Sequence, residues 1–181
     1  MKRFILSISI LISISFQLFP ENITIASFNT LRLGNNVKDY RTLSKIVSKF
    51  DLIGLEEVMN EKGLKKLRAV LNSTTKSEWE YIISEKAVGS KGYKEYYAFI
   101  YKKEKFQYVK SLQNFKEINQ NMFIREPFAA RFKSKNFDFI YIICHSIFGE
   151  TEKNRIIEAS NYDKVYSYYS NLLPEEDDII I

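Results

Sequence analysis

The chain has 181 residues, 45% of them hydrophobic, enough to build one domain around a core and too many for a disordered or low-complexity chain. Twenty-seven Lys and Arg against 22 Asp and Glu leave a formal net charge of +5; with the lysines dispersed, so mild a balance is compatible with a polyanionic partner without requiring one. The single cysteine, Cys144, excludes an internal disulfide framework, and the single histidine, His145, excludes a histidine-rich metal site within one chain.

At the N-terminus, basic Lys2 and Arg3 precede an apolar run from Phe4 to Phe16, followed by polar Gln17, Glu21 and Asn22. This pattern reads as a secretory signal peptide over 1–20, with the folded part over 21–181. The run is shorter than the about 20 residues of a membrane span. No stable membrane insertion is therefore expected after signal cleavage, and the expected location is secreted, periplasmic or cell-surface.

Ile23 to Leu31 reads as a buried strand carrying Asn29 near its end. Leu43, Ile46, Val47 and Phe50 recur at the spacing of an amphipathic helix. Asp51 to Val58 begins as an apolar strand and ends in Glu56 and Glu57, and Leu64, Leu67 and Leu71 mark a second helix. Strands are then expected at Trp79–Glu85, Tyr96–Lys102, Phe106–Leu112, Phe128–Lys133 and Phe137–His145, with polar hairpin breaks at 102–105 and 134–136. A long helix is expected over about 151–172, with Ile156, Ala159, Tyr162, Val165, Tyr166, Tyr169 and Leu172 on one side. Asp178 to Ile181 begins another apolar strand. Ending on such a strand leaves backbone groups without partners, so the chain is expected to be cut short at Ile181.

Three strand ends carry polar residues that a core does not need: Asn29, Glu57 and His145. Taken singly, Asn29 suits a turn, Glu56 and Glu57 suit a solvated strand exit, and His145 suits a structural role. Cys144 reads as a small buried hydrophobe. Three strands ending in the same way point to a shared site at one sheet edge. Oxygen ligands there suit a hard cation such as Mg²⁺, with Ca²⁺ or Mn²⁺ as alternatives, and an imidazole beside it suits proton transfer.

The order SFN, DLIGLEEV, YKEYYAFIY at Tyr93–Tyr101, REPF and a strand ending in His145 resembles the endonuclease/exonuclease/phosphatase superfamily, and YKEYY narrows the likeness to the deoxyribonuclease I-like branch. The resemblance implies an α/β fold, here part of a four-layer α/β/β/α sandwich without its C-terminal strands and helices. It implies Glu57 as the metal-binding glutamate and Asn29 beside the metal and the scissile phosphate. It implies His145 as a catalytic histidine and Glu95 as the carboxylate that holds it. Tyr93 and Arg125 match residues that contact nucleic acid, so DNA is the expected substrate.

Two departures stand out. The branch places arginines just after the asparagine and near the metal glutamate; here Leu31 stands two residues after Asn29, with Arg32 one place further, and Met59 two after Glu57. The family's Gly-Asp-Phe-Asn motif, a further aspartate and an Asp-His pair find no match in the 181 residues, and there is no second histidine. The expected function is metal-dependent phosphodiester hydrolysis, most simply by a secreted endonuclease acting on DNA, impaired by truncation unless a complementing chain supplies the rest. The rival expectations are a sphingomyelinase or phosphoinositide phosphatase of the same superfamily, and a non-catalytic gene fragment or binding module.

Overall fold

The computed structural model describes residues 22–181 apart from 118–121 and 150. The expected signal segment, 1–20, lies outside the described residues. Two sheets pack face to face with helices on both outer sides. The first is built from β1 (Ile25–Leu33), β2 (Leu52–Val58), β3 (Trp79–Ile83), β4 (Val88–Ser90) and β5 (Tyr93–Lys102), in the order β1-β2-β5-β3 with β4 also on β5. The second holds β6 (Gln107–Asn114), β7 (Phe128–Ser134), β8 (Phe137–Ile143) and β9 (Ile179–Ile180), in that order. Helices α1 (Tyr40–Val47) and α2 (Glu61–Thr74) cover the first sheet, and α3 (Glu152–Ala159) and α4 (Tyr162–Leu172) follow β8. The expected α/β sandwich is therefore observed.

The near-continuous apolar runs arise because the central strands are buried on both faces. Alternation along β5 sends Tyr97, Phe99 and Tyr101 inward against Phe128, Phe132 and Tyr141 of the other sheet, while Ala98 and Ile100 face Leu64, Leu67 and Leu71 of α2. On the far side Ala129, Ile140 and Ile142 pack beneath Val165, Tyr169 and Leu173. Gly54 sits where the two sheets approach closely: an added Cβ would lie 2.8 Å from Ile143 Cγ1.

The expected single helix over 151–172 is broken at Ser160–Asn161. The Asn161 side chain donates to the Ile157 carbonyl (2.9 Å), closing α3 and restarting the chain at a new phase. The expected apolar stripe changes accordingly. Ile156, Tyr166 and Leu172 are exposed, whereas Glu158 and Leu173 are buried.

β1 and β9 form outer edges of their sheets. They flank a groove of about 420 Å³ whose walls include Ile25, Ser27, Tyr141, Cys144, Ile180 and Ile181. Tyr141 Oη donates across it to the Ala26 carbonyl (2.8 Å). Among the described residues, no helix is long and apolar enough to cross a membrane.

Candidate active site

The polar residues at the strand ends converge because two strands break register there. β1 pairs regularly with β2 up to Asn29↔Glu56 and then shifts, and β2 loses register with β5 between Leu55 and Val58. Leu31, Arg32 and Glu57 all adopt left-handed backbone, with φ of 50°, 64° and 55°. For residues with a Cβ this costs about 1–2 kcal/mol each, and such strain clusters at functional sites. The extra residue in β2 releases Glu57 from the strict alternation of the pleat and turns it toward β1.

Asn29 joins two of these groups. Its Oδ1 accepts from the Leu31 N–H (2.8 Å), which orients the amide so that Nδ2 faces Glu57 Oε1 at 3.1 Å and His145 Nε2 at 3.5 Å. On its other side His145 Nδ1 lies 2.6 Å from Glu95 Oε1. Glu95 is fully buried and also accepts from the Glu57 backbone N–H (3.3 Å) and from Arg125 Nε (3.2 Å). The Tyr97 hydroxyl accepts the His145 backbone N–H (3.0 Å), so the loop after β8 is anchored to β5. The Glu95 hydrogen bond raises the His145 pKa above its ordinary value, against the opposing effect of burial. With Nδ1–H held by Glu95, Nε2 is the atom left for chemistry on the open side.

Glu57, Glu95 and His145 each offer a ligand atom, all within 4.8 Å of one another. Glu95 and His145 already satisfy each other, and Glu95 is also paired with Arg125. Glu57, half-exposed and paired with an amide, is therefore the carboxylate with capacity for a cation. One protein carboxylate, with water and phosphate oxygens completing the shell, fits Mg²⁺.

The sites expected from sequence thus fall together. Tyr93 joins them from β5. Its hydroxyl reaches Met59 Sδ at 3.8 Å, and burial, with Glu95 and Glu57 nearby, pushes its pKa up to about 12. Arg125 holds Glu95 rather than presenting its whole fork outward, and its Cζ lies 5.5 Å from the Tyr93 ring centroid. Cys144 is half-buried, with its thiol pushed up to about 12 by burial, as suits a packing residue.

No protein-family model matches the chain. A deoxyribonuclease from Thioalkalivibrio sp. (strain K90mix) is 32% identical over 157 residues, covering 85% of this chain and 43% of that protein. Deoxyribonuclease-1 of Mus musculus is 31% identical over 119 residues, 61% of this chain and 42% of its own length. An endonuclease/exonuclease/phosphatase family protein from Bacteroides thetaiotaomicron superposes with a TM-score of 0.56 at 19% identity, over 86% of this chain and 60% of that structure. The chain is thus similar in sequence to deoxyribonucleases and shares its fold with endonuclease/exonuclease/phosphatase family proteins. It spans less than half the length of these two deoxyribonucleases.

Against the branch pattern, one residue escaped the sequence reading. Arg32 stands one place later than the arginine of the branch, yet the left-handed turn at Leu31 and Arg32 brings its Cζ to 5.2 Å from the Tyr93 ring centroid. Tyr93 therefore carries two cationic contacts, from Arg32 and Arg125. Only the shift in position was visible in the sequence; the turn that compensates for it was not. Glu56, the neighbour of Glu57, accepts from Ser27 Oγ at 2.5 Å and is pushed up by burial.

Proposed function

We propose that this chain carries the metal-binding side of a phosphodiesterase that hydrolyses DNA. The observation that carries the reading is the Asn29 amide set between Glu57 and His145, with His145 oriented by buried Glu95. In this reading Glu57 holds Mg²⁺, which stabilises charge on the phosphoryl oxygens when bound. Asn29 donates to a phosphate oxygen. His145 moves a proton at Nε2, with Glu95 fixing its tautomer. Arg32, Tyr93 and Arg125 flank the strand. The two similar deoxyribonucleases favour nucleic acid over lipid as substrate.

The remaining family motifs lie outside these 181 residues, on a further polypeptide segment in this reading. The side-by-side edges of β1 and β9, with the apolar groove between them, are the seat we assign it, since sheet edges recruit strands. On this account the 181 residues alone cleave DNA weakly. The Lys2–Phe16 pattern supports export, outside the cytoplasm. Supercoiled plasmid and sphingomyelin, each with Mg²⁺ or EDTA, test the reading. Slow Mg²⁺-dependent nicking, lost in Glu57→Ala and His145→Ala, is expected; hydrolysis of sphingomyelin with the plasmid untouched would overturn it.

A further inference from the structure

A second recess lies beside Arg125. It is an open notch of about 580 Å³ lined by Ile124, Ile147, Phe148, Gly149 and Asn154. Phe148 stands 88% exposed and Ile124 40% exposed. Packing among the described residues does not cover the Phe148 ring, and a contiguous apolar patch at a site rim is a form that ligand-binding grooves take.

The notch is built rather than accidental. Glu158 of α3, 5% exposed, accepts from the Ile147 N–H through Oε1 (2.7 Å) and from the Ile124 N–H through Oε2 (3.3 Å). One buried carboxylate thus ties the segment before Arg125 to the segment after His145, and its desolvation is offset only while both donors stay in place. Arg155 Nη1 donates to the Phe148 carbonyl (2.9 Å). Gly149, at φ +65°, turns the chain away under Phe148, where an added Cβ would meet Asn154 Cβ at 3.0 Å.

The placement supplies the ligand class. Phe148 is three residues beyond His145, and Ile124 is next to Arg125. The other flank of Arg125 faces Tyr93, which in turn meets Arg32. Cationic and aromatic faces therefore continue past the catalytic group. A phosphate backbone held between Asn29, Glu57 and His145 would extend along that line, leaving its bases free to lie on exposed rings. Stacking of this kind tolerates any base, because every base has a π-face.

We propose that the Ile124–Phe148 notch is a base-binding subsite, receiving an unpaired nucleobase of the strand next to the scissile phosphate and stacking it on Phe148. This rests on the phosphodiesterase reading above and deepens it: the enzyme would prefer single-stranded or locally opened nucleic acid.

The test measures affinity by fluorescence anisotropy in Mg²⁺, using a labelled oligothymidylate with uncleavable phosphorothioate linkages and an abasic strand of equal length and charge. Phe148→Ala is expected to weaken oligothymidylate binding by roughly 5- to 100-fold, the loss of one base–aromatic stack. Phe148→Trp should retain it, and the abasic strand should bind wild type and Phe148→Ala alike. The exposure of Phe148 makes misfolding of these variants a small concern. Equal oligothymidylate affinity for wild type and Phe148→Ala, with loss in Arg125→Ala, would overturn the subsite and leave the nucleic-acid reading standing. Wild type that ignores both strands but binds sphingomyelin vesicles would overturn both.

Discussion

Replacing Glu95 by Gln removes one charge from the site at almost unchanged side-chain volume. Three N–H groups converge on the Glu95 carboxylate: His145 Nδ1 at 2.6 Å, Arg125 Nε at 3.2 Å and the Glu57 backbone N at 3.3 Å. A glutamine oxygen in the place of Oε1 still accepts from His145 and Glu57. Its NH₂ group then faces the Arg125 Nε–H, donor against donor. One charge-assisted bond is lost, and such bonds contribute about 1.5–3 kcal/mol. The Arg125 side chain is 15% exposed and can regain some water, which places the expected destabilisation near 2 kcal/mol. The imidazole changes as well. The Glu95 hydrogen bond is the foremost cause of the raised His145 pKa, so Glu95→Gln should lower it. A pKa raised in the folded state means stabilisation that is complete below the unfolded value of about 6.5 and fades as pH rises through the folded value. The stability gap between wild type and variant should therefore be larger at pH 6 than at pH 9. Because the chain holds one histidine, its ring proton gives one NMR titration in EDTA with no assignment step, and urea unfolding at the two pH values gives the gap. Identical His145 titrations in wild type and Glu95→Gln would refute the coupling.

The other expectations test the cation and the packing. Mn²⁺ bound at Glu57 should broaden the His145 ring signal, and Glu57→Gln should raise the Mn²⁺ concentration needed by at least about tenfold, since even outer-shell losses weaken metal affinity by 10–100-fold; broadening that survives the substitution would move the ion elsewhere. Gly54→Ala should cost about 1–3 kcal/mol by overpacking, because its Cβ would lie 2.8 Å from Ile143 Cγ1 and 3.0 Å from Tyr141 Oη. An unchanged urea midpoint would mean that the sheets do not meet there.

Much of the fold was legible because its signals are local. Alternating apolar runs and helical stripes announced the element order, and polar residues closing such runs announced Asn29, Glu57 and His145. Glu95 came only through the family likeness, since nothing in YKEYY itself says that its carboxylate is buried beneath a histidine. The break at Ser160–Asn161 was missed because the apolar spacing runs through it, while the ending of α3 depends on one side-chain bond from Asn161 to Ile157. Glu158 was invisible for a related reason: a glutamate on a polar helix reads as solvated until two loops are seen to donate to it. Arg32 depends on consecutive left-handed residues without glycine, a conformation that sequence propensity argues against.

That unfavourable backbone is itself informative about the cation. With regular pleating, Leu55 faces α2, Glu56 faces the other sheet, and Glu57 would face α2 again. The register shift lets Val58 take that apolar position and leaves Glu57 as the extra residue, at φ 55°. The fold thus tolerates strain to bring a third carboxylate beside Glu56 and Glu95. Glu95 is compensated by Arg125 and His145, and Glu56 accepts from Ser27 while burial pushes its pKa up. Glu57 has an amide, which orients a carboxylate without cancelling its charge. An arrangement that gathers three carboxylates, pairs Glu95 with Arg125 and His145 and strains the backbone to place Glu57 leaves the half-exposed face of Glu57 as the place for the cation of the proposed function.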